Sequence, residues 1–385
     1  MVLFLHNRYR TTGGEERVVD DLLWLVRERL GEPAELLMRS SEELSRGRAA
    51  LGLLRGGLDP DEVRRAVRER GVRVVHAHNL QPAFGWRALA AARAAGARVV
   101  LHLHQYRLVC AIGVCFTDGE ECTRCHGSNT LPGVRLNCRG SRPEAAAYAA
   151  SLALWQRRMV SNADAVVVPS VFARERLREL GAPLDWERVH VLAPPVRALD
   201  VFAPPVARVA SELPSYALVV SRLAPEKGVD VAIDACRAAG IALLIAGDGP
   251  ERSALEAHAA AGHGVGGATV RFAGHVDDAE LAELRARASI ALVPSRSAET
   301  FGLAAAEAMA AGLPVAASRV GALAELVEED GLVAPGDAAA LAGAIERLLG
   351  DGDGDAGQRA RARARSICAP EVVARGLAEL YDTSP

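Results

Sequence analysis

The chain has 385 residues, room for two domains of a little under about 200 residues each. Half of the residues are hydrophobic and 24% are charged, which excludes a disordered chain. Lysine and arginine number 45 against 48 aspartates and glutamates, for a net charge of -3, and aromatic residues make up 4%, so neither a basic excess nor a stacking surface points to nucleic acid. From the N-terminus, Met1-Val2-Leu3-Phe4-Leu5-His6-Asn7-Arg8 reads as a buried first strand. It lacks the basic stretch and long apolar run of a signal peptide. No apolar run approaches the roughly 18–20 residues of a membrane span. A cytoplasmic protein with reduced cysteines is therefore expected. Arg8, Arg10, Arg17, Arg46, Arg48 and Arg55 read as a solvated face that leaves peripheral contact with the inner face of a membrane open.

After the first strand comes Thr11-Thr12-Gly13-Gly14-Glu15, whose glycines permit close backbone approach to a ligand at a helix start. There is no G-x-G-x-x-G, so the dinucleotide fingerprint is absent. Amphipathic segments at Glu15–Leu30, Asp61–Arg70, Glu251–Ala260 and Ala279–Ala288 alternate with short β-rich runs. These runs are Val72–His76, Arg98–His102, Ala165–Val168 and Val189–Leu192, then Ala217–Val220, Ile241–Ala246, Thr269–Phe272, Ile290–Val293 and Pro314–Ala317. Alternation of this kind predicts parallel sheets covered on both faces. Five prolines between Ala193 and Tyr216 interrupt it and read as a linker over 196–215. The expected division is an N-terminal domain over 1–195, with an insertion at 106–142, and a C-terminal domain over 216–365. A last helix over 366–385 is expected to pack back on the N-terminal domain. Two such α/β halves are expected to bind ligand in the cleft between them.

The most informative segment is Ser295–Ser318, which follows a strand, carries Glu299, Phe301 and Gly302 in a loop, and opens a helix at Leu303. Free N–H groups and the positive end of a helix suit a diphosphate there. Glu307, about a turn into the helix, can accept hydrogen bonds from the paired hydroxyls of a ribose, and Glu299 from those of a sugar. Arg222 and Lys227, in the turn after the first strand past the linker, can neutralise a diphosphate leaving group. A solvated surface turn is the competing reading of that pair.

Taken together, these motifs resemble the retaining, nucleotide-sugar-dependent enzymes of glycosyltransferase family 4. The resemblance covers nearly the whole chain. It rests on Gly13-Gly14, Val75-His76-Ala77-His78-Asn79, the His104 region, Ser221-Arg222 with Lys227-Gly228, Gly247-Asp248-Gly249-Pro250, Phe272-Ala273-Gly274-His275-Val276, and the Glu299…Glu307 element running into Gly312-Leu313-Pro314-Val315. It implies the GT-B fold, two Rossmann-like domains with parallel sheets facing a central cleft. By the same resemblance, Arg222, Lys227 and the backbone of Gly13, Gly14, Phe301, Gly302 and Leu303 hold the donor diphosphate. Glu307 binds the ribose, Glu299 the transferred sugar, and the backbone around Val276 the base. His104 lies beside the reacting sugar, which makes His104, Glu299, Arg222 and Lys227 the catalytic set. A UDP- or GDP-sugar donor, a glycan or lipid-linked acceptor and a role in cell-surface polysaccharide assembly are implied, with no cofactor needed for catalysis. The chain departs from many relatives at Val320-Gly321-Ala322, where they carry two glycines.

Five of the seven cysteines fall together, at Cys110, Cys115, Cys122, Cys125 and Cys138. A C-x2-C pair with single cysteines on either side is adequate for a structural zinc held by Cys110, Cys122, Cys125 and Cys138; a disulfide and free thiols are the competing readings. A subgroup of the family matches those four, which leaves Cys115 as the spare. The insertion that carries them reads as an ordered lid shaping acceptor choice. Two H-x-H pairs, His76/His78 and His102/His104, leave a metal-dependent hydrolase as an alternative function, and a non-catalytic scaffold as a second.

Overall fold

The computed structural model describes residues 1–9, 13–200, 216–261, 268–350 and 355–382. Arg10, Thr11, Thr12 and most of the expected linker, Pro204, Pro205 and Pro214 included, lie outside them. The chain divides into two compact units: Met1–Thr117 with Cys122–Pro195 and Pro370–Pro385, and Val196–Ala369 with Asp118–Glu121. Among the described residues no helix is long and apolar enough to cross a membrane.

In the first unit the strands are β1 (Val2–Arg8), β2 (Ala34–Ser40), β3 (Val74–Ala77) and β4 (Arg98–His102). The two-residue strand β5 (Phe116–Thr117) follows, pairing with β6 (Glu120–Glu121) of the segment counted with the second unit, then β7 (Ala165–Val168) and β8 (Val189–Val191). The main sheet runs β2-β1-β3-β4-β7-β8, with every neighbouring pair parallel. Val2 to Asn7 are all buried, as expected of a parallel strand with helices on both faces. The covering helices are α1 (Gly14–Glu28), α2 (Arg46–Arg55), α3 (Pro60–Arg70), α4 (Gly85–Ala94), α5 (Leu131–Arg135), α6 (Arg142–Ser161) and α7 (Val171–Glu179). Helix α7 starts where Ser170 caps the Ala173 N–H at 2.9 Å.

The second unit repeats the plan. Strands β9 (Tyr216–Val220), β10 (Ala242–Ala246), β11 (Val270–Gly274), β12 (Ile290–Val293), β13 (Val315–Ser318) and β14 (Leu332–Val333) form one parallel sheet ordered β11-β10-β9-β12-β13-β14. Around it lie α8 (Val229–Ala238), α9 (Arg252–Ala261), α10 (Asp278–Arg287), α11 (Leu303–Ala310), α12 (Leu323–Leu326), α13 (Ala338–Gly350) and α14 (Asp355–Cys368). The core gathers Val219, Ile233, Leu243, Ile245, Leu292 and Ile345 between the sheet and its helices.

The last helix, α15 (Pro370–Asp382), belongs to the first unit, against which Arg73 and Arg98 bond its carbonyls at Tyr381 (3.2 Å) and Leu380 (3.0 Å). Strand order reverses once in each sheet, between β1 and β3 and between β9 and β12. Ligands of open parallel sheets bind beyond the carboxyl ends of the strands at such a point.

Candidate active site

The reversal between β9 and β12 places two loops side by side. The loop after β9 carries Arg222 and ends in a single 3-10 turn, Pro225–Lys227. Gly228 follows at φ 62°, and a Cβ there would stand 2.2 Å from the carbonyl oxygen of Pro294, so glycine lets this turn press against the chain leaving β12. Across the junction Lys227 Nζ bonds Glu299 Oε1 at 2.6 Å, and Ser295 Oγ donates to the same oxygen at 2.7 Å. Burial would raise the Glu299 carboxyl; the charge and hydrogen bond of Lys227, the Ser295 hydroxyl and the charge of Arg222 outweigh it and hold the group below the usual range. Arg222 is exposed and pairs with buried Glu226, whose carbonyl accepts from the Arg296 N–H at 2.8 Å. Arg296 in turn forks onto Asp230 at 2.8 and 2.6 Å.

Glu299 is fixed from behind as well as in front. Its carbonyl accepts from Ala322 N–H at 2.9 Å, and Gly321 at φ 57° packs so closely that a Cβ would fall 2.3 Å from that oxygen. Glycine at 321 is required by this contact. Gly312 has a similar backbone (φ 78°) but open space around it. Gly312→Ala is therefore expected to cost about 1–2 kcal/mol for the left-handed backbone alone. Gly321→Ala is expected to cost at least ~3 kcal/mol, because the clash adds to that strain. Paired thermal or urea unfolding curves check the difference, and equal losses would refute it.

Helix α11 opens at Leu303 behind Gly302 (φ 98°) and buried Phe301, and its first N–H groups have no intrahelical acceptor. Glu307 lies one turn in and pairs with Arg285 of α10, a partner that sequence does not reveal because it sits 22 residues away on another helix. Val276 follows the edge strand β11 and is half-buried. The Gly247–Pro250 turn bonds to the Arg222 loop, with Leu223 N–H donating to the Asp248 carbonyl at 2.9 Å. The second unit thus brings Arg222, Lys227, Glu299 and the start of α11 to one strand-end junction, with Glu307 on α11. Each cation is held on a carboxylate that an incoming anion can replace or share.

In the first unit, Gly13 and Gly14 are exposed at the start of α1, where Gly13 N–H donates to Glu16 at 2.8 Å. His104 is partly buried just past β4, and its Nε2 lies 2.8 Å from His78 Nδ1. It belongs to a stack of four imidazoles from the ends of β3 and β4. Ring centroids are 4.6 Å apart for His76 and His78, 4.3 Å for His102 and His104, and 5.1 Å for His78 and His104. At its inner end His76 Nδ1 meets the Tyr381 hydroxyl of α15 at 2.7 Å. Burial, with the neighbouring imidazoles, depresses all four: His76 to about 3, and His78, His102 and His104 well below their ordinary value. The stack is neutral at physiological pH. Its outer end faces a cavity of about 60 Å³ lined also by Tyr9, Glu15, Gln105 and Arg107. Burial pushes the Glu15 carboxyl up to about 7, against the lowering effect of His6 and Arg107. In the sequence Glu15 ends a glycine loop and begins an amphipathic segment; its place in the first turn of α1, beyond β1, is what brings it to the histidines.

Among the described residues, His76, His78 and His102 form the single group of three whose ligand atoms all lie within 4.8 Å. Their rings lie 15–29° from parallel. Four of their six nitrogens are already engaged: His76 Nδ1 with Tyr381, His76 Nε2 with His102 Nδ1 at 3.3 Å, and His78 Nδ1 with His104. A metal site built as in a hydrolase is a poor match to that geometry.

The insertion starts inside the core rather than over it: Tyr106, Leu108, Val109, Cys110 and Cys115 all belong to the buried cluster of the first unit. Gln156 of α6 ties it down by donating to the carbonyls of Leu108 (2.6 Å) and Gly127 (2.9 Å). All five cysteines line one small cavity. Cys115, expected to stand apart, is hydrogen-bonded to Cys110.

A two-unit α/β protein with a cationic, helix-capped junction at the strand reversal of its second sheet is, as a class, a GT-B protein of two Rossmann-like units. Residues 3–195 match the family model described as glycosyl transferase 4-like domain, and residues 214–351 match that of glycosyl transferases group 1. The chain belongs to the glycosyl transferase 4-like family. It is 37% identical over 205 residues to a GDP-mannose-dependent alpha-(1-6)-phosphatidylinositol dimannoside mannosyltransferase of Mycobacterium tuberculosis, covering 50% of this chain and 51% of that one. It is 32% identical over 266 residues to a D-inositol 3-phosphate glycosyltransferase of a Nocardioides species, covering 62% and 56%. The chain spans about half the length of the curated relatives it matches. Among solved structures, Anabaena Alr3699/HepE in complex with UDP superposes with a TM-score of 0.66 at 20% identity, covering all of both chains. The sucrose-phosphate synthase of Thermosynechococcus elongatus gives 0.69 at 19% identity, covering 99% and 98%.

Proposed function

We propose that this protein is a retaining glycosyltransferase that moves a hexosyl group from a nucleoside-diphosphate sugar to a hydroxyl of a glycan or lipid-linked acceptor. The observation that carries the reading is the Lys227–Glu299 junction with Arg222 beside it and the N-terminus of α11 behind it. Two cations and free N–H groups suit the diphosphate, and an ionised Glu299 suits the hydroxyls of the sugar. Glu307, steadied by Arg285, suits the ribose. In this reading the bond from the anomeric carbon to the diphosphate oxygen breaks as the bond to the acceptor oxygen forms on the same face. The acceptor proton passes to the departing phosphate oxygen. Arg222 and Lys227 stabilise the charge that grows there. A neutral His104, its ring held by His78, serves as a hydrogen-bond partner of the reacting sugar rather than as a cation. No protein nucleophile and no metal are required for these steps.

Relatives named for GDP-mannose and a neighbour holding UDP support a GDP- or UDP-sugar donor, and relatives that act on inositol lipids and inositol phosphate support a hydroxylated, membrane-borne or sugar-like acceptor. A place in cell-surface polysaccharide assembly is the corresponding setting, at the cytoplasmic face of the membrane. Calorimetric titration with UDP, GDP, ADP and dTDP tests the donor class. One nucleotide is expected to bind with micromolar affinity and to lose at least about tenfold in Arg222→Ala, the equivalent of one charge-assisted contact. Absence of binding by all four would overturn the reading.

A further inference from the structure

Five thiols around a single cavity are more than packing needs. The cavity bounded by Cys110, Cys115, Cys122, Cys125 and Cys138 measures about 10 Å³, the room of one water-sized occupant. Beyond the residues sunk in the core, residues 111–141 have little to hold them together: one five-residue helix, α5, and two strands of two residues. A segment with so small a core of its own needs a staple. Two of the sulfurs accept hydrogen bonds from the backbone. The N–H groups of Ile112, Gly113 and Cys115 hydrogen-bond the sulfur of Cys110, and those of Ala111 and Gly133 that of Cys125. Gly133 has no side chain to obstruct this approach; a Cβ there would stand 2.3 Å from that of Ala111.

We propose that Cys110, Cys122, Cys125 and Cys138 bind one zinc ion as a tetrahedral thiolate site that staples the insertion. Cys115 stays a thiol and donates its S–H to the sulfur of Cys110. Binding replaces four S–H bonds with four Zn–S bonds and releases four protons to solvent. Tetrahedral Zn–S bonds of ~2.3 Å set the sulfurs roughly 3.8 Å apart. No three of them lie within 4.8 Å of one another, so four-fold coordination requires the sulfurs to move closer together. All four sit on loops or turns rather than inside regular elements, where side-chain rotation can supply that movement. A disulfide would join two sulfurs and leave three unused. Zinc takes four and gives the fifth a role.

The test is metal analysis of the full chain, expressed with zinc and purified under reductant without chelator. About one zinc per chain is expected, retained by Cys115→Ser and lost from the Cys122→Ser/Cys125→Ser double variant. Replacement by cobalt should give the thiolate charge-transfer bands and strong visible absorption of a tetrahedral sulfur site. Should the double variant not fold, the wild-type chain answers alone: a strong chelator should remove one zinc and open Arg124, Arg135 and Arg139 to trypsin. Less than about a tenth of an equivalent of zinc, full zinc in the double variant, nitrogen-type cobalt spectra, or a mass deficit of two hydrogens without metal would each overturn the proposal. None of these readouts depends on transferase activity.

Discussion

Lys227→Ala is expected to lower kcat/KM by at least 10²–10³-fold, about 3–4 kcal/mol of transition-state stabilisation, which is the scale for removing one preorganised group from a site of developing charge. The loss has two sources. The ammonium group that lies 2.6 Å from Glu299 is gone, and with it a counter-charge for the departing diphosphate. Glu299 is also left partly buried, with the Ser295 hydroxyl and the more distant Arg222 as its remaining support. A carboxylate stripped of its partner turns from a sugar ligand into a repulsive charge beside the phosphate. Binding of the nucleoside diphosphate should weaken along with turnover, and the unfolding midpoint should fall modestly because a partly buried carboxylate loses its cation. Lys227→Arg should recover part of the binding and less of the turnover, since a planar fork does not reproduce a point charge. A Lys227→Ala enzyme within threefold of wild type would sink the assignment of this junction to the donor.

The second large effect concerns acid. Three buried imidazoles and the partly buried His104 have folded pKa values below that of an unfolded histidine, burial being the main cause in each. Between the unfolded value of about 6.5 and the folded values, the unfolded chain binds more protons than the native one. Stability is therefore fully present above about pH 6.5 and is lost as the pH falls. For His76, depressed to about 3, the loss by pH 4 is about 3 kcal/mol. His78, His102 and His104 add to it. Glu15 works the other way: its carboxyl is raised to about 7, so the native state holds that proton better, and acidification from pH 7 towards 4.5 returns some stability. One carboxyl against four imidazoles leaves the net effect destabilising. Trp24, Trp86, Trp155 and Trp186 all lie in the first unit, so tryptophan fluorescence reports that unit alone. Its thermal midpoint should fall steeply between pH 6.5 and 4, and His102→Gln should flatten the slope. A midpoint constant from pH 7 to 5 would contradict the neutral stack.

Much of this was legible in the sequence, and the exceptions have physical causes. Arg98–His102, Ala165–Val168 and Ile290–Val293 coincide with strands because β-branched runs buried on both faces leave a plain signal. Strand β2 carries no strand pattern of its own. Ala34-Glu35-Leu36-Leu37-Met38-Arg39-Ser40 is made of helix-favouring residues, and only its full register against β1, from Val2 to Arg8, makes it a strand. The 20-residue helix α6 gives no clear apolar periodicity, because it buries the polar Ser151 and Gln156 along with Ala145, Leu152, Met159 and Val160. In the site, residue types at strand ends were readable one loop at a time. Their mutual bonds were not, since Lys227 with Glu299 and Arg285 with Glu307 join residues 72 and 22 apart in sequence. The histidine stack was visible only as two H-x-H pairs. Register between β3 and β4 turns the pairs into a stack, and Tyr381, 305 residues from His76, closes it.

The return of α15 to the first unit bears on how the protein is made. Multidomain chains generally fold from the N-terminus during synthesis. Here the first unit has its hydroxyl partner for His76 and its bonds to Arg73 and Arg98 on residues translated after almost the whole second unit. On the ribosome the unit begun first is thus finished last, and until then it waits with a histidine pocket open at the very place the final helix will seal.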